Sequence, residues 1–234
     1  MMNNPTITAF DWVPPFAQGQ VRDLRVRWAL EEVGQAYDVR YLGQGEQKEA
    51  PHRARQPFGQ VPTLEDGELT LFESGAIVQY VAERFGGLLP DDREARARAI
   101  EWMFAALNSV EPAIMDLSFV KIFEADKPWS AMRRAAVEER IHGRLKDLSA
   151  RLSDKQWLDG DTFTAGDLLM VTVLRIVIGQ GLVEKYDNLA AYLARGIARP
   201  AFQRALADQM AGFTGEPPEW YAAWAEKQKQ GGPA

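Results

Sequence analysis

Two neighbouring stretches carry the residues best suited to holding a small polar ligand: Gln60-Val61-Pro62-Thr63-Leu64 and Leu69-Thr70-Leu71-Phe72-Glu73-Ser74-Gly75. Pro62 supplies no N–H, so Val61 sits beside a gap in any strand ladder and its own backbone groups are left for a ligand. After Phe72 the character of the chain changes. Ile77, Val78, Val81 and Phe85 recur at i, i+1, i+4 and i+8, which predicts a helix opening at Glu73-Ser74-Gly75. The unpaired amides of a helix start suit a carboxylate. Together these features indicate recognition of a peptide-sized polar ligand on the edge of a small sheet.

The elements that must position this edge follow from the pattern on either side. Val61–Leu64 and Leu69–Phe72 flank Asp66-Gly67, a dipeptide that tolerates the positive φ angles of a two-residue hairpin turn. Upstream, residues 6–12 alternate as a first strand and Val13–Gln20 is a Pro/Gly loop. A helix is predicted over Val21–Val33, with Gly34 as its stop. Tyr37, Val39 and Tyr41 alternate as a second strand, and Gly43–Arg55 is polar and loosely helical. The order β-α-β-α-β-β-α gives a mixed four-stranded sheet with helices on its faces, a thioredoxin-like arrangement over residues 1–87. Beyond the linker Gly86–Pro90, residues 91–234 read as all helical, so the fold class is α+β with two domains. Asp91 and Asp92 suit a helix start, Pro112 is expected to kink or break that helix, and Pro128 to open the next. Thr164-Ala165-Gly166-Asp167 is a capping box before Leu168–Ile178, which is apolar on nearly every side and belongs inside a bundle.

Several chemistries are disfavoured by what the chain lacks. It has no cysteine, hence no disulfide, thiolate metal ligand or protein thiol nucleophile. His52 and His142, far apart in sequence and assigned to surface or helix positions, do not suggest a metal site or triad, and no metal is expected. The net charge of −6 disfavours a nucleic-acid partner. The longest apolar stretch, Leu168–Leu174, is too short to span a bilayer. The first residues lack the basic and apolar regions of a secretory leader. The expectation is a cytoplasmic protein with no membrane partner.

The ordered set Gln56-Pro57-Phe58-Gly59-Gln60-Val61-Pro62, Glu73-Ser74-Gly75-Ala76-Ile77 and Thr164-x-x-Asp167, spread over essentially the whole chain, resembles a cytosolic glutathione S-transferase. The resemblance implies that Pro62 is a cis-proline turning the Val61 backbone toward the cysteinyl part of glutathione. It implies that Glu73 meets the γ-glutamyl ammonium, while Ser74 and the helix-start amides take the carboxylate. Gln60 is a further glutathione contact, and Lys48, eight residues before Gln56, falls where a basic residue meets the glycyl carboxylate. Thr164 and Asp167 match the family's folding capping box. Glutathione is then a co-substrate, a small-molecule electrophile the second ligand, and a homodimer the assembly, with Arg93, Arg96 and Arg98 either part of that interface or a solvated face. The electrophile would lie against Trp12, Phe16, Phe104, Asn108 and Met115.

The sequence departs from the family where the thiol must be activated. A cysteinyl thiol with a pKa of about 8.5 is only about 3% ionised at pH 7, and lowering it by two units takes roughly 2.7 kcal/mol. Members of the family place Tyr, Ser or Cys after the first strand, yet Phe10–Val33 contains no Ser, Thr, Tyr or Cys. The candidates left are Arg22 and Gln20. A cation in a helix's first turn is disfavoured by about 0.3–1 kcal/mol unless an anion is near, and a bound thiolate would be such an anion. A solvated arginine beside Asp23 and activation by the amides of Gln18–Arg22 are the alternatives. The function expected is a glutathione transferase acting on an apolar electrophile. The alternative is a non-catalytic glutathione-binding or protein-interaction member of the same fold.

Overall fold

The computed structural model describes residues 4–231, with side chains described through residue 226. Its residues cluster into two compact units. One comprises the chain up to Arg96 with Ile197–Pro218, the other Ala97–Gly196 with the segment from Glu219 on. The first is a thioredoxin-like α+β unit. β1 (Thr6–Phe10) pairs in parallel with β2 (Asp38–Leu42) and antiparallel with β3 (Thr63–Asp66), and β4 (Leu69–Phe72) closes the order β2-β1-β3-β4. The first strand ends at Phe10, two residues short of the expected span. The following loop is not wholly irregular, because Pro15–Ala17 forms one 3₁₀ turn. The fixed φ of proline suits the first position of such a turn.

The hairpin turn lies one residue later than Asp66-Gly67. Asp66 pairs with Leu69, so Gly67 and Glu68 are its central residues, and Gly67 takes the positive φ of 63°. Glycine at the first central position is the requirement of a type II′ turn, which matches the twist of the flanking strands.

The helices of this unit are α1 (Asp23–Glu32), the single turn α2 (Ala50–Arg53) and α3 (Ser74–Phe85). α1 is buried on every side from Asp23 to Leu30, arginines included. One side is covered by a helix from late in the chain, α9 (Pro200–Ala211), which packs along α1. Trp28 meets Phe202 edge to face, Arg199 holds Glu32 in a two-pronged ion pair at 2.6 and 2.7 Å, and Arg204 reaches Glu31. Gln209 donates to the Val21 carbonyl at 3.1 Å and to the Asp23 carboxylate at 2.7 Å. α9 therefore fixes the first turn of α1 from the outside.

The second unit is helical: α4 (Arg93–Phe104), α5 (Glu111–Phe123), α6 (Ser130–Leu152), α7 (Ala165–Arg175), α8 (Asp187–Ile197) and α10 (Glu219–Gly231). Asp92 caps α4 by accepting from the Ala95 amide at 2.8 Å. Pro112 neither breaks nor sharply ends the helical run. Ala105–Val110 instead widens into a π-helical segment that hands over to α5, so the missing proline N–H falls where the hydrogen-bond register changes. The resulting run Arg93–Phe123 is long and apolar enough by composition to cross a bilayer. Its Ala106, Val110, Ala113, Ile114 and Leu117 are buried, however, and the run packs on α6 and α7 as a bundle helix does. Pro128 precedes α6 by two residues, with Trp129 at the cap.

α7 is the buried helix expected from its all-round apolar sequence, and the capping box at its start is formed reciprocally. The fully buried Asp167 carboxylate accepts from the amides of Leu158 and Thr164, at 2.9 and 3.0 Å, and from the hydroxyls of Thr164 and Tyr192, at 3.0 and 3.1 Å. Burial pushes its carboxyl above the ordinary range while these donors pull it back. Gly166 lets α7 approach α4 closely, since a Cβ there would lie 2.6 Å from the Trp102 Cβ.

Candidate functional site

The pairing of Thr63 with Phe72 decides the geometry of the site. Because these residues lie opposite each other, Val61-Pro62 before β3 and Glu73-Ser74 after β4 leave the hairpin from the same end. The Val61–Pro62 peptide bond is cis, as the resemblance implied. Val61 lies outside every strand pairing. The ladder resumes only at Thr63, whose N–H turns to the buried Thr8 hydroxyl at 2.7 Å, with the two threonine hydroxyls 3.1 Å apart. The approach to Val61 is fixed from the other side by His52, whose Nε2 lies 2.7 Å from the Gln60 carbonyl oxygen, and by Gln56, whose side chain accepts from the Phe58 amide at 2.6 Å. Of the two placements expected for it, surface or helix, His52 takes the second, as a buried residue of α2.

On the opposite side of the hairpin end, Glu73 occupies the cap position of α3 with φ 68° and ψ 113°. A positive φ at a residue with a Cβ costs energy and recurs at ligand sites, where surrounding contacts hold it. Its carboxylate is exposed, whereas Ser74, the next residue, is 5% exposed. The Ser74 Oγ receives a hydrogen bond from Nη1 of Arg25 at 3.2 Å. Gln60 is exposed beside Val61, and Lys48 is exposed at the end of the 3₁₀ turn Glu46–Lys48.

At the start of α1, Arg22 takes the cap position with an exposed side chain, and Gln20 is half-buried in the turn that Gly19 opens with φ 74°. Asp23 points inward and is engaged by Arg27 at 2.8 Å and by Gln209. Burial raises its carboxyl against the pull of the Arg27 guanidinium. Arg27 in turn meets Asp208, which also accepts from the Tyr37 hydroxyl at 2.7 Å. Among the residues expected to face the electrophile, Trp12 is buried in the first unit and Phe16 is 51% exposed on its 3₁₀ turn. In the second unit Phe104 is 59% exposed, and Asn108 and Met115 are exposed on the same helical run. Arg96 and Arg98 are engaged by Glu83 and Asp159.

Arg25 was not singled out from the sequence, and His52 was named there only as a surface or helix histidine and not as a site residue. The signal for Arg25 was present in α1, where two apolar stripes, Val21-Leu24-Trp28 and Val26-Leu30-Val33, leave little helix surface for solvent. A helix covered that completely must pair the arginines it carries.

The comparisons with known proteins agree with this architecture. The profile described as glutathione S-transferase, N-terminal domain, matches residues 6–83, and that described as glutathione S-transferase, C-terminal domain, matches residues 110–200. A glutathione S-transferase from Hyoscyamus muticus is 34% identical over 174 residues, covering 69% of this chain and 81% of its own. Glutathione S-transferase 4 of Zea mays is 30% identical over 217 residues, covering 86% and 92%. Among solved structures, the theta class glutathione S-transferase of Xanthomonas axonopodis pv. citri with glutathione bound superposes with a TM-score of 0.74 at 28% identity, covering 88% of this chain and 98% of that one. The fold, the hairpin-end site and these matches together show that the chain belongs to the glutathione S-transferase family.

Proposed function

We propose that the protein is a glutathione transferase that binds the tripeptide along the hairpin end and promotes attack of its thiolate on an apolar electrophile. The observation that carries this reading is the pairing of Thr63 with Phe72, which brings Val61 and the Glu73-Ser74 helix start to one end of the sheet. The backbone of Val61 receives the cysteinyl unit. Glu73 meets the γ-glutamyl ammonium, and Ser74 with the amides of α3 takes the carboxylate. Gln60 and Lys48 complete the set, Lys48 at the glycyl carboxylate. Phe16, Phe104 and Met115 are the exposed apolar residues assigned to the electrophile, with Asn108 and Trp12. The protein is assigned to the cytoplasm as a homodimer.

Thiol activation belongs to the start of α1. With no hydroxyl or thiol side chain between Phe10 and Val33, the thiolate is stabilised by the Arg22 guanidinium, by Gln20 and by the amides of the Gln18–Arg22 turn. Replacing Arg22 with alanine is expected to raise the pKa of the bound thiol by about 0.5–1 unit, by analogy with charge–dipole effects at helix ends. The binding constant for glutathione should stay within about twofold. An unchanged thiol pKa in this variant would move the role to the backbone.

Calorimetric titration with glutathione, run beside a conjugation assay over several electrophiles, tests the function. Saturable binding with turnover is expected. Binding without turnover would favour the non-catalytic alternative, and absence of binding would remove the site.

A further inference from the structure

Gln209 reaches from α9 to the residues that open α1, and the functional reading above gives it no part. It is 1% exposed, and its Nε2 donates to the Val21 carbonyl at 3.1 Å and to the Asp23 carboxylate at 2.7 Å. Both neighbours are acceptors, so only the nitrogen end of the amide can face them.

The first of these bonds sets the aim of a backbone amide. The Val21 carbonyl also accepts from the Leu24 amide at 3.0 Å, so it points into the first turn of the helix. The Val21–Arg22 peptide is trans, and a planar trans peptide directs its C=O and N–H opposite ways. A Val21 carbonyl clamped by two donors therefore turns the Arg22 N–H outward from the helix start. That amide belongs to the Gln18–Arg22 turn assigned to the thiolate.

The second bond concerns charge. Asp23 is a buried carboxylate in the first turn of α1, where its charge opposes that of a thiolate held at the same helix end. Arg27 meets one of its oxygens at 2.8 Å and Gln209 meets the other. The other titratable groups gathered here are Asp208, paired with Arg27, the Tyr37 hydroxyl, which donates to Asp208, and the Tyr41 hydroxyl beside Arg27.

We infer that Gln209 is a positioning residue for thiol activation, aiming the Arg22 amide at the thiolate and engaging the Asp23 carboxylate that would otherwise oppose it. The inference rests on glutathione being held as a thiolate at the start of α1. Its consequence is that a side chain of α9, 186 positions from Asp23 in sequence, sets the pKa of the bound thiol. A glutamine that only packed α9 on α1 would change stability and leave that pKa alone.

The test follows the thiol of bound glutathione by ultraviolet absorbance in the full-length wild type and in Gln209→Met, which keeps the length of the side chain and removes its donors. The pH profile of kcat/KM with an activated aryl chloride is recorded beside it. Affinity for S-methylglutathione, which has no ionisable thiol, is measured by calorimetry. In Gln209→Met the thiol pKa should rise by about 0.5–1 unit, the size of a helix-end charge effect. On the acid side of the profile kcat/KM should then fall about three- to tenfold, and it should recover to within about twofold on the alkaline plateau. S-methylglutathione should bind within about twofold of wild type. Arg199→Gln removes the ion pair that braces α9 against Glu32 at the far end of α1, and it should leave the thiol pKa unchanged. An unchanged thiol pKa in Gln209→Met overturns the inference, as does an equal rise in Arg199→Gln. If Gln209→Met does not fold, Gln209→Asn, one methylene short of both acceptors, decides in its place, and an unchanged pKa there overturns the inference equally. A wild type that binds S-methylglutathione but titrates the thiol at its free value would instead remove the activating turn, and the role of Gln209 with it.

Discussion

Replacing Asp167 by alanine is expected to destabilise the protein by about 3–5 kcal/mol, the range seen when a buried, hydrogen-bonded charge is deleted from its partners. Four donors converge on this carboxylate, the amides of Leu158 and Thr164 and the hydroxyls of Thr164 and Tyr192; in the variant the first three lose this acceptor and Tyr192 keeps only its longer contact with the Asp167 carbonyl oxygen at 3.4 Å. Two of them start α7, the most completely buried helix of its unit, and another ties the preceding loop to it. For a chain of this length each kcal/mol moves the melting temperature by about 2–4 °C, so a fall of about 6–20 °C is expected in a thermal scan. Tyr192→Phe removes one donor and leaves the other three, and should cost about 1 kcal/mol. The contrast between these two variants distinguishes loss of the cap from loss of a single contact. A fall below about 3 °C for Asp167→Ala would show that α7 is not held by this network.

The second large effect belongs to ligand binding. Ser74→Ala should weaken glutathione binding by about ten- to a hundredfold in calorimetry, since a hydrogen bond to a charged group is worth about 1.5–3 kcal/mol. The same variant leaves the Arg25 Nη1 without its hydroxyl partner inside the protein, so a loss of about 1–3 kcal/mol in stability should accompany it. The apparent KM for the electrophile should stay within about twofold, because Ser74 is assigned only to the γ-glutamyl end. An equal rise in both KM values would indicate damage to the fold and not the loss of a specific contact.

The parts of the fold that were legible in the sequence are those written in local periodicity. The stripe from Ile77 to Phe85 reflects a helix burying one face, with Ile77, Val78 and Val81 buried, and the alternation around Val39 located β2 although its Tyr41 is exposed. The capping box at Thr164 and Asp167 is equally local, since it spans a single helical turn. The hairpin turn was displaced by one residue because Asp-Gly and Gly-Glu both place glycine inside the turn, and only the pairing of Asp66 with Leu69 separates the two registers. At Pro112 propensity alone predicts a break, but packing on α6 and α7 keeps the helical run together and the register shifts into a π segment instead.

What the sequence could not express is long-range pairing of polar and charged side chains. Arg199 and Glu32 are 167 residues apart, Gln209 and Asp23 186 apart, and no period or motif links them. Arg25 shows the same limit at the site: its partner Ser74 is 49 positions away. The glutathione-holding edge was legible because proline, an acidic cap residue and serine mark it within a short span. The activating end was not, because backbone amides leave no trace in residue types and a long loop separates Phe10 from α1.

The central claim is that this chain holds glutathione as a thiolate without a hydroxyl or thiol of its own at the start of α1. An ultraviolet absorbance titration of the thiol in the glutathione complex, with the protein-only titration subtracted, tests it most directly. The expected result is an apparent pKa at least about one unit below the 8.5 of a free cysteinyl thiol. A bound thiol that titrates at the free value would contradict it.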